Sequence, residues 1–482
     1  MDPRRRALLL RAQAILEARA SLLGFATFVR PEFDPTPRHI RELAQGLEDI
    51  AAGTIDRLMV SMPPQHGKSW LSSQLFPAYI MAKNPGVRLA TASYSADRAE
   101  KNSRDTRAIV RDAPFLQLFP KMKVDTSANR ILGNYKRVDI DRADEWSAGA
   151  STYKAVGVDG PLTGFALDGI VMDDLFKDWA EAQSATMRNR AWDWYRAVVT
   201  TRNPKWQVMV STRWHPDDPS GRMIREEPDR WRVVDFPAIE NEDTENELPL
   251  WDCEKFGLEN YRKIRKLVGR TMWSCLYQQR PTVSGGNVFR VAGVREVPAA
   301  EFPAVRFVRA WDLASSVKQR TGDDPDWTVG VLGAVTYAQD PATGARLPHL
   351  WIRDVVMIRA EAPARNARIK ATADQDGPGV SVVVEAFGAY KDAAAELRAA
   401  LAGQRIVREI RPPGDKAAKA APLEPMFDAG NVHVPAGAPW LRQWLQHFEE
   451  FPAGAHDDAV DATALVWHDQ AAPRASLAMP GA

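Results

Sequence analysis

Short apolar runs alternate with longer polar stretches along most of the chain. Five of these runs lie in its first half, at Leu58 to Met62, Arg88 to Ala92, Gly169 to Met172, Gln207 to Val210 and Trp231 to Phe236. Short apolar runs bounded by polar segments are typical of buried strands, and the segments between them have the length and composition of helices. The pattern therefore predicts an α/β fold with a largely parallel sheet.

A second series of strand-like segments follows, and helix-compatible segments come after it: VRFVRAWDLA, WTVGVLGAV, HLWIRDVVMI and VSVVVEAF. Between the two series, YQQRPTVSGGNVFR contains Pro281, Gly285 and Gly286, which interrupt both periods. We therefore predict two α/β domains, residues 1–285 and 305–470, joined by a linker at 286–304 and followed by a disordered tail at 471–482.

The first twenty residues, MDPRRRALLLRAQAILEARA, are basic and then apolar, as in a signal peptide. Arg11 and Glu17 interrupt the apolar run, and its spacing favours an amphipathic helix. Because no stretch of about 18 apolar residues occurs, we expect no membrane-spanning helix.

The segment LMVSMPPQHGKSW ends like a phosphate-binding loop, but Met62 stands where such a loop has its first glycine. The segment follows a strand and precedes a helical pattern, at the corner where backbone N–H groups and a helix dipole hold phosphate. We predict that Lys68 reaches the β and γ phosphates of a nucleotide and that Ser69 suits Mg²⁺. The predicted binding loop comprises Gln65, His66, Gly67, Lys68 and Ser69. A surface turn that happens to contain Gly-Lys-Ser is the alternative.

Polar side chains also end two later strands. FALDGIVMDDLFKD is an apolar run that ends in Asp173 and Asp174, where the first acid would hold Mg²⁺ through water and the second would activate the attacking water. KWQVMVSTRWH has a polar end at Ser211, Thr212 and Arg213 that could sense the γ-phosphate. Solvated acids at a strand end are common, but three strand ends with this chemistry together predict a nucleoside triphosphatase.

The second domain has an acidic set of its own. Asp312 ends the strand RFVRAWD and Glu385 ends VSVVVE. HDDAVDA begins a helix with three further acids, whose spacing places at least one or two on one helical face: Asp457, Asp458 and Asp461. Any single acid here could be a helix cap or a loop charge. As a set they predict a cage for two Mg²⁺ or Mn²⁺ ions and therefore nuclease chemistry.

Composition is that of an ordinary globular protein, with 45% hydrophobic and 26% charged residues. The net charge of +1 gives no global attraction to nucleic acid, so a site for polyanions would be a local patch. Two isolated cysteines, Cys253 and Cys275, are too few for a disulfide framework or a zinc cluster, which favours a reducing cytoplasm.

These features together resemble the large subunit of a viral DNA-packaging terminase, the motor of tailed bacteriophages and of related prophage or gene-transfer particles. The resembling segments extend from about residue 35 to residue 467, and they are PPQHGKS, GFALDGIVMDDLFKD, VSTRWHPDD, LYQQRP, WDLA, VVVEAFG and HDDAVDA. The resemblance implies an additional-strand, RecA-like ATPase followed by an RNase H-like nuclease. Prolines at the head of the phosphate loop are frequent in this family.

For the ATPase, the resemblance implies that Lys68 and Ser69 bind ATP and Mg²⁺, that Asp173 is the Walker B aspartate, and that STRWH couples hydrolysis to movement. Many members have Glu where this chain has Asp174. The catalytic base is therefore either Asp174 or a more distant acid such as Glu181.

Two further roles in the family are assigned by position. The segment TPRHIRELAQGLEDIAAG, within residues 1–56, lies where the family contacts adenine, so His39 or its neighbours contact adenine here, or the segment is a solvated helix face. The family's arginine finger is often delivered by a neighbouring subunit. Arg98, Arg104 and Arg107 are the candidates here; we predict Arg104, while a salt-bridged helix surface is the alternative.

For the nuclease, the resemblance carries over to Asp312 and Glu385, and we choose Asp458 over Asp457 and Asp461 as the third metal ligand. Asp326, at the head of the next strand, is a candidate either for a fourth ligand or for a residue that supports the ligands without contacting the metal. Lys416 lies in a segment that resembles a loop approaching the DNA backbone, although its charge could equally serve solubility.

The resemblance implies a ring, five subunits on family grounds, that docks on a capsid portal, works with a small terminase subunit and drives double-stranded DNA inward. Isolated protein would be monomeric. The protein would act in the host bacterial cytoplasm and at the procapsid, and be absent from the mature virion. A repair translocase with a fused nuclease, or a virion structural protein with degenerate motifs, are the competing hypotheses.

Overall fold

The computed structural model describes residues 2–124, 145–148, 150–281, 288–313, 327–385, 390–403, 405–412, 416–452, 454 and 456–471. The chain divides into two compact units, Met1–Tyr261 with Ser274–Thr282, and Arg262–Trp273 with Val283–Ala482. The domain limits given by the sequence remain a prediction. The tail predicted at 471–482 lies outside the described residues except for residue 471.

The first unit contains a seven-stranded sheet, a small two-stranded sheet and most of the helices. Its strands are β1 Arg57–Ser61, β2 Arg88–Ser93, β3 Glu145–Ala148, β4 Ser151–Gly157, β5 Gly169–Asp173, β6 Trp206–Ser211, β7 Arg232–Asp235, β8 Ile239–Glu240 and β9 Leu248–Pro249. Its helices are α1 Pro3–Ala20, α2 Leu22–Val29, α3 Arg38–Ala52, α4 Phe76–Lys83, α5 Ala96–Arg111, α6 Ala113–Leu118, α7 Trp179–Gln183, α8 Ala185–Trp194 and α9 Pro219–Glu226. Helix α10, Leu258–Met272, begins in this unit and is interrupted at Gly269, where φ is 79°.

The large sheet of the first unit has the order β3-β4-β2-β5-β6-β1-β7 and is parallel except for the pair β3 and β4. Strand β6 lies between β1, which leads into the phosphate loop, and β5, which ends at Asp173. This is the additional strand of the predicted fold class. Ser61 is paired with Ser211, and Asp173 with Val210, so the three strands end at one edge of the sheet.

Both faces of this sheet are covered, which explains the continuous apolar runs. Leu58 and Val60 of β1 pack with the hydrophobic residues of α2, α3 and α4, whereas Met59 between them packs on the opposite side. The five strands predicted from apolar runs are confirmed as β1, β2, β5, β6 and β7. The helix predicted at the N-terminus is confirmed as α1. Its Ala18 is buried and Ile15 packs against the core, whereas Leu9, Leu10 and Leu16 are exposed.

The second unit contains another seven-stranded sheet. Its strands are β10 Val294–Val297, β11 Val308–Asp312, β12 Thr328–Gln339, β13 Arg346–Ile358, β14 Ser381–Glu385, β15 Val407–Ile410 and β16 Val432–Pro435. Its helices are α11 Ala362–Asp376, α12 Tyr390–Ala400, α13 Lys416–Ala420, α14 Glu424–Asp428, α15 Leu441–Glu450 and α16 Asp458–Ala471. Wider, π-type turns occupy Trp70–Leu75, Tyr195–Val199 and Trp273–Tyr277, and 3-10 turns occupy Thr200–Arg202, Val291–Gly293, Ala299–Glu301 and Ala421–Leu423.

The order of this second sheet is β10-β16-β13-β12-β11-β14-β15. Strands β11, β12 and β13 are antiparallel neighbours, and the other pairs are parallel, so the sheet is mixed. Trp311 is paired with Val384, and therefore Asp312 and Glu385 follow at the same end of adjacent strands. Helix α16 packs on the face that Val308 and Ala310 present, while Trp311 packs on the other face.

None of the helices in the described part of the chain is long and apolar enough to cross a membrane.

Candidate active sites

The phosphate loop connects β1 to the turn Trp70–Leu75 at the start of α4. Two of its residues have left-handed backbone conformations, Gln65 with φ 65° and Gly67 with φ 84°. A Cβ atom at Gly67 would lie 3.1 Å from Ile40 Cδ1, so both conformation and space favour glycine there. In the following turn Phe76 N–H donates to Leu71 O, a wide geometry that often occurs at functional sites.

The side chain of Lys68 contacts residues that follow the ends of β5 and β6. Its side chain is buried, and Nζ lies 2.8 Å from Asp174 Oδ2 and donates to Thr212 Oγ1 at 3.1 Å. Thr212 N–H donates to Asp174 Oδ1 at 3.0 Å. The structure thus brings together the lysine, the second acid and the threonine that the sequence predicted on three different strands.

Asp173 is 1% exposed and accepts three hydrogen bonds. Ser69 Oγ donates to Oδ1 at 2.9 Å, while Ser73 Oγ and Asn102 Nδ2 donate to Oδ2 at 2.9 and 3.2 Å. Burial, followed by the charge of Asp174, raises the pKa of Asp173. The negative charge of Asp173 is therefore unfavourable unless a cation lies nearby. Its carboxylate and the Ser69 hydroxyl are oxygen donors, the type of ligand that fits Mg²⁺.

Ser73 and Asn102 were not predicted. Ser73 lies four residues after Ser69 and so on the same helical face, a spacing that could have indicated it. Asn102 lies on α5, and its approach to Asp173 depends on how that helix packs on the sheet.

Two histidines of the predicted nucleotide site lie in the interior of the first unit. The His66 ring is fully buried, and its nitrogens bond to Pro64 O at 2.8 Å and Tyr261 Oη at 2.7 Å, so they are not available to a phosphate. The His39 ring is also fully buried, against His66, Phe236 and Trp251. The burial of His39 does not match a solvated helix face, and an adenine contact by this segment stays a prediction.

Two other candidates are paired with acids that are not part of the cluster around Lys68. Arg213 Nε lies 3.0 Å from Asp218 Oδ2. Arg104 is exposed and 3.7 Å from Glu100, so the structure does not bring it to the phosphate loop. A role for Arg104 in a neighbouring subunit stays a prediction.

Glu181, the alternative catalytic base, forms a capping box at the start of α7. Its N–H donates to Asp178 Oδ1 at 2.9 Å, and its own carboxylate accepts from Lys177 N–H at 2.6 Å. Asp174 is the acid in contact with Lys68, so position favours Asp174.

The second unit gathers acids from two strand ends and one helix. The pKa of Asp312 is raised well above its usual range, by the loss of surrounding water and then by the charges of Asp461, Asp458 and Glu385. The pKa of Asp461 is raised to about 7, by burial and then by the charge of Asp457. Charge effects of this kind place the carboxylates in the same neighbourhood.

Two lysines of the short helix α13 face these acids. Lys419 Nζ lies 2.5 Å from Glu385 Oε1, and Lys416 Nζ lies 2.6 Å from Asp457 Oδ1 and 3.8 Å from Asp461 Oδ2. Lys419 was not predicted, although its spacing of three from Lys416 places both on one helical face. The ammonium groups therefore balance part of the negative charge.

The acids of HDDAVDA differ in how their oxygens are bonded. Asp458 Oδ2 accepts from Trp327 N–H at 3.1 Å, whereas the buried Asp461 Oδ1 has no hydrogen-bond partner among the residues that the structure describes. Within the described ranges, no three His, Cys, Asp or Glu residues lie close enough to hold one metal ion. The donor set nevertheless fits hard divalent cations, because it consists of carboxylates and leaves a buried oxygen unpartnered. Asp326 lies outside the described residues.

Comparison with known families finds two matches that together extend over most of the chain. Residues 59–292 match the family model "Terminase large subunit, T4likevirus-type, N-terminal". Residues 309–469 match the model "Terminase RNaseH-like domain". No curated protein matches the chain.

Among solved structures, the chain is similar to the large terminase of a thermophilic bacteriophage, with a TM-score of 0.50 at 9% identity over 86% of this chain and 91% of that one. The same phage protein in complex with ATP-γ-S gives a TM-score of 0.46 at 10% identity, covering 89% and 93% of the two chains. The large terminase of bacteriophage HK97 gives 0.35 at 14% identity, covering 90% and 94%. At this identity the likeness concerns the fold.

Proposed function

The chain belongs to the family of terminase large subunits, and from that membership we propose that it is the motor of a DNA-packaging machine. It hydrolyses ATP to move double-stranded DNA into a procapsid through the portal. It also cuts concatemeric DNA when packaging starts and when it ends. The observation that carries this proposal is the presence of two chemically different acidic centres in one chain, one joined to a phosphate loop and one not.

In the first centre, we assign nucleotide binding to the loop and to Lys68. Lys68 Nζ moves from Asp174 to the β and γ phosphates when ATP binds, since it is the loop's only cation. Asp174 is then free to accept a proton from the attacking water, held in place by the N–H of Thr212. Ser69 and Asp173 would hold Mg²⁺.

In the second centre, Asp312, Glu385 and the acids of α16 would hold two Mg²⁺ or Mn²⁺ ions. The unpartnered Asp461 Oδ1 makes Asp461 a candidate equal to Asp458 for the third carboxylate. In the first centre, a bound metal ion would supply positive charge that stabilises the phosphates. In the second centre, bound ions would stabilise the attacking and leaving oxygens of the phosphodiester. Lys416 lies at the rim, 61% exposed, where it can contact the DNA backbone.

The machine contains several copies of the chain. We propose that five subunits form a ring on the portal, that a small terminase subunit selects the DNA, and that the isolated chain is a monomer. Contacts to phosphates rather than to base edges suit a motor that must pass any sequence. The protein works in the host bacterial cytoplasm and leaves the particle before the virion is mature.

Two variants of the full chain test the proposal. Lys68→Ala abolishes DNA-stimulated ATP hydrolysis but leaves Mn²⁺-dependent cleavage of plasmid DNA. Asp312→Ala abolishes cleavage but leaves ATP hydrolysis. A wild-type protein that shows neither activity overturns the proposal in favour of a structural protein with degenerate motifs.

A further inference from the structure

The phosphate loop holds a conformation for which its sequence is poorly suited. Gln65 and Gly67, on either side of His66, both have positive φ, and an ordinary side chain such as that of Gln65 disfavours this region. The loop also has Met62, Pro63 and Pro64 where a first glycine would relax it. Some other interaction must therefore stabilise the loop.

His66 is the loop residue best placed to do so. Its side chain is fully buried, whereas that of the preceding residue, Gln65, is exposed. Pro64 O can only accept, so Nδ1–H donates to it, and Nε2 of the neutral ring then accepts from the Tyr261 hydroxyl. The backbone oxygen of His66 accepts from His39 Nε2–H at 3.1 Å. The residue between these two positions of positive φ is thus bonded on three sides.

Tyr261 connects this arrangement to another part of the first unit. It lies on α10, is fully buried, and is 195 positions from His66 in the chain. Tyr261 is also the last residue of α10 that belongs to the first unit. The hydrogen bond between its hydroxyl and His66 therefore ties the loop to the helix on which the chain leaves that unit.

We propose that His66 is a positioning residue whose hydrogen bonds to Pro64 and Tyr261 hold the phosphate loop ready for nucleotide, in place of the missing first glycine. The inference rests on the proposed function in one respect, that the loop binds nucleotide. It assigns His66 no contact with the nucleotide itself.

The expected signature is a loss of affinity without a loss of turnover. If the binding-competent loop becomes a minor conformation, the apparent dissociation constant rises in inverse proportion to its population. Once nucleotide is bound, Lys68, Asp173 and Asp174 are unchanged, so kcat at saturating ATP is unchanged. A role of His66 in packing alone would lower thermal stability and would not separate KM from kcat in this way.

Tyr261→Phe is the decisive variant, because it keeps the ring and removes only the hydroxyl. We expect the dissociation constant for ATP-γ-S, measured by calorimetry on the full chain, to rise by roughly five- to tenfold, the worth of one buried hydrogen bond. The KM for ATP should rise equally, with kcat within about twofold of wild type. His66→Gln, whose amide oxygen can accept from Tyr261, should bind better than His66→Ala.

Tyr195→Phe is the matched control. It removes another buried tyrosine hydroxyl, which donates to Gln207 Oε1 at 3.1 Å. Gln207 is paired with Arg57 at the start of β1, whereas the loop follows the end of β1, so this variant should bind ATP-γ-S as wild type does. Wild-type affinity in Tyr261→Phe, or a fall in kcat without a rise in KM, overturns the inference. If the wild-type protein itself does not bind ATP-γ-S, the proposed nucleotide site is wrong. That result is distinct from wild-type affinity in Tyr261→Phe, which rejects only the role of His66.

Discussion

Asp173 in the first unit and Asp312 in the second are both carboxylates at the end of a strand, and the pKa of each is raised. Their surroundings differ. Within the described residues, Asp173 accepts hydrogen bonds from two hydroxyls and an amide, whereas the charges that act on Asp312 are those of three carboxylates and of Lys416. The first centre is therefore already organised by neutral donors, while the second is dominated by repulsion that lysines only partly offset. Binding of divalent cations should consequently stabilise the second unit more than it stabilises the first.

The largest expected effect concerns the base of the first centre. Asp174→Asn should lower kcat for ATP hydrolysis by at least about a hundredfold, because a positioned general base contributes this much. Glu181→Gln, which alters only a helix cap, should stay within about threefold of wild type. Steady-state ATPase assays on both variants check the assignment, and the reverse order of effects would transfer the role to Glu181.

Mn²⁺ should stabilise the second unit more than the first. At about 100 times its dissociation constant, Mn²⁺ should stabilise the second unit by about 2.7 kcal/mol. Hydrogen exchange should then slow in β11, β14 and α16 much more than in β1, β5 and β6, measured without nucleotide. Asp461→Asn should reduce this protection. Equal protection of both units would remove the contrast between the centres.

Acid should weaken the first unit through His39, because burial lowers its pKa from 6.5 to about 4. Between these values the unfolded chain binds a proton that the folded protein excludes, so stability is lost as pH falls from 6.5 towards 4 and is intact above 6.5. At pH 5 the loss is about 2 kcal/mol. His39→Gln has no titrating group at this position. In urea unfolding, its free energy of unfolding relative to that of wild type should therefore rise by about that amount between pH 7.5 and pH 5. A constant difference would contradict the assignment.

Asn102→Ala tests whether neutral donors organise the first centre. The change removes one of the two donors to Asp173 Oδ2 and should lower ATPase kcat/KM by up to roughly tenfold. Asn189→Ala is a control on the surface of the same unit, where its side chain only accepts from Arg222. If both variants match wild type, Asp173 does not depend on the donor from α5.

The smallest effect is expected for Arg104→Ala in the isolated chain. Arg104 is exposed and weakly paired with Glu100, so ATPase activity should stay within about twofold of wild type. A loss that occurs only when the protein is assembled on portals would support the predicted role in a neighbouring subunit. A loss in the isolated monomer would place Arg104 at its own subunit's site, contrary to the structure.

The parts of the fold that could be predicted are those with continuous burial. Strands β1, β2, β5 and β6 read as apolar runs because helices cover both faces of the sheet. In β4, by contrast, buried and partly exposed positions alternate over its first half, and the run Ser151–Gly157 was missed. The short strands β10, β15 and β16 contain too few apolar residues to form a recognisable run.

The same distinction applies to the sites. Asp173, Asp312 and Glu385 could be found because each ends an apolar run, and Lys68 because the Gly-Lys-Ser motif lies between a strand and a helical pattern. Asn102 and Lys419 reach the acids from helices whose packing no local pattern specifies. The orientation of the His66 ring depends on a tyrosine 195 positions away, so the sequence showed a loop histidine but not that it faces the core.

The central claim is that one chain carries two separate cation-dependent centres. It is tested most directly by anomalous diffraction from crystals of the full chain grown with Mn²⁺ and ATP-γ-S. We expect one manganese peak between Ser69 and Asp173, and further peaks among Asp312, Glu385 and the acids of α16, with Lys419 displaced from Glu385. Peaks at the phosphate loop alone, with Lys419 still paired to Glu385, would contradict the account.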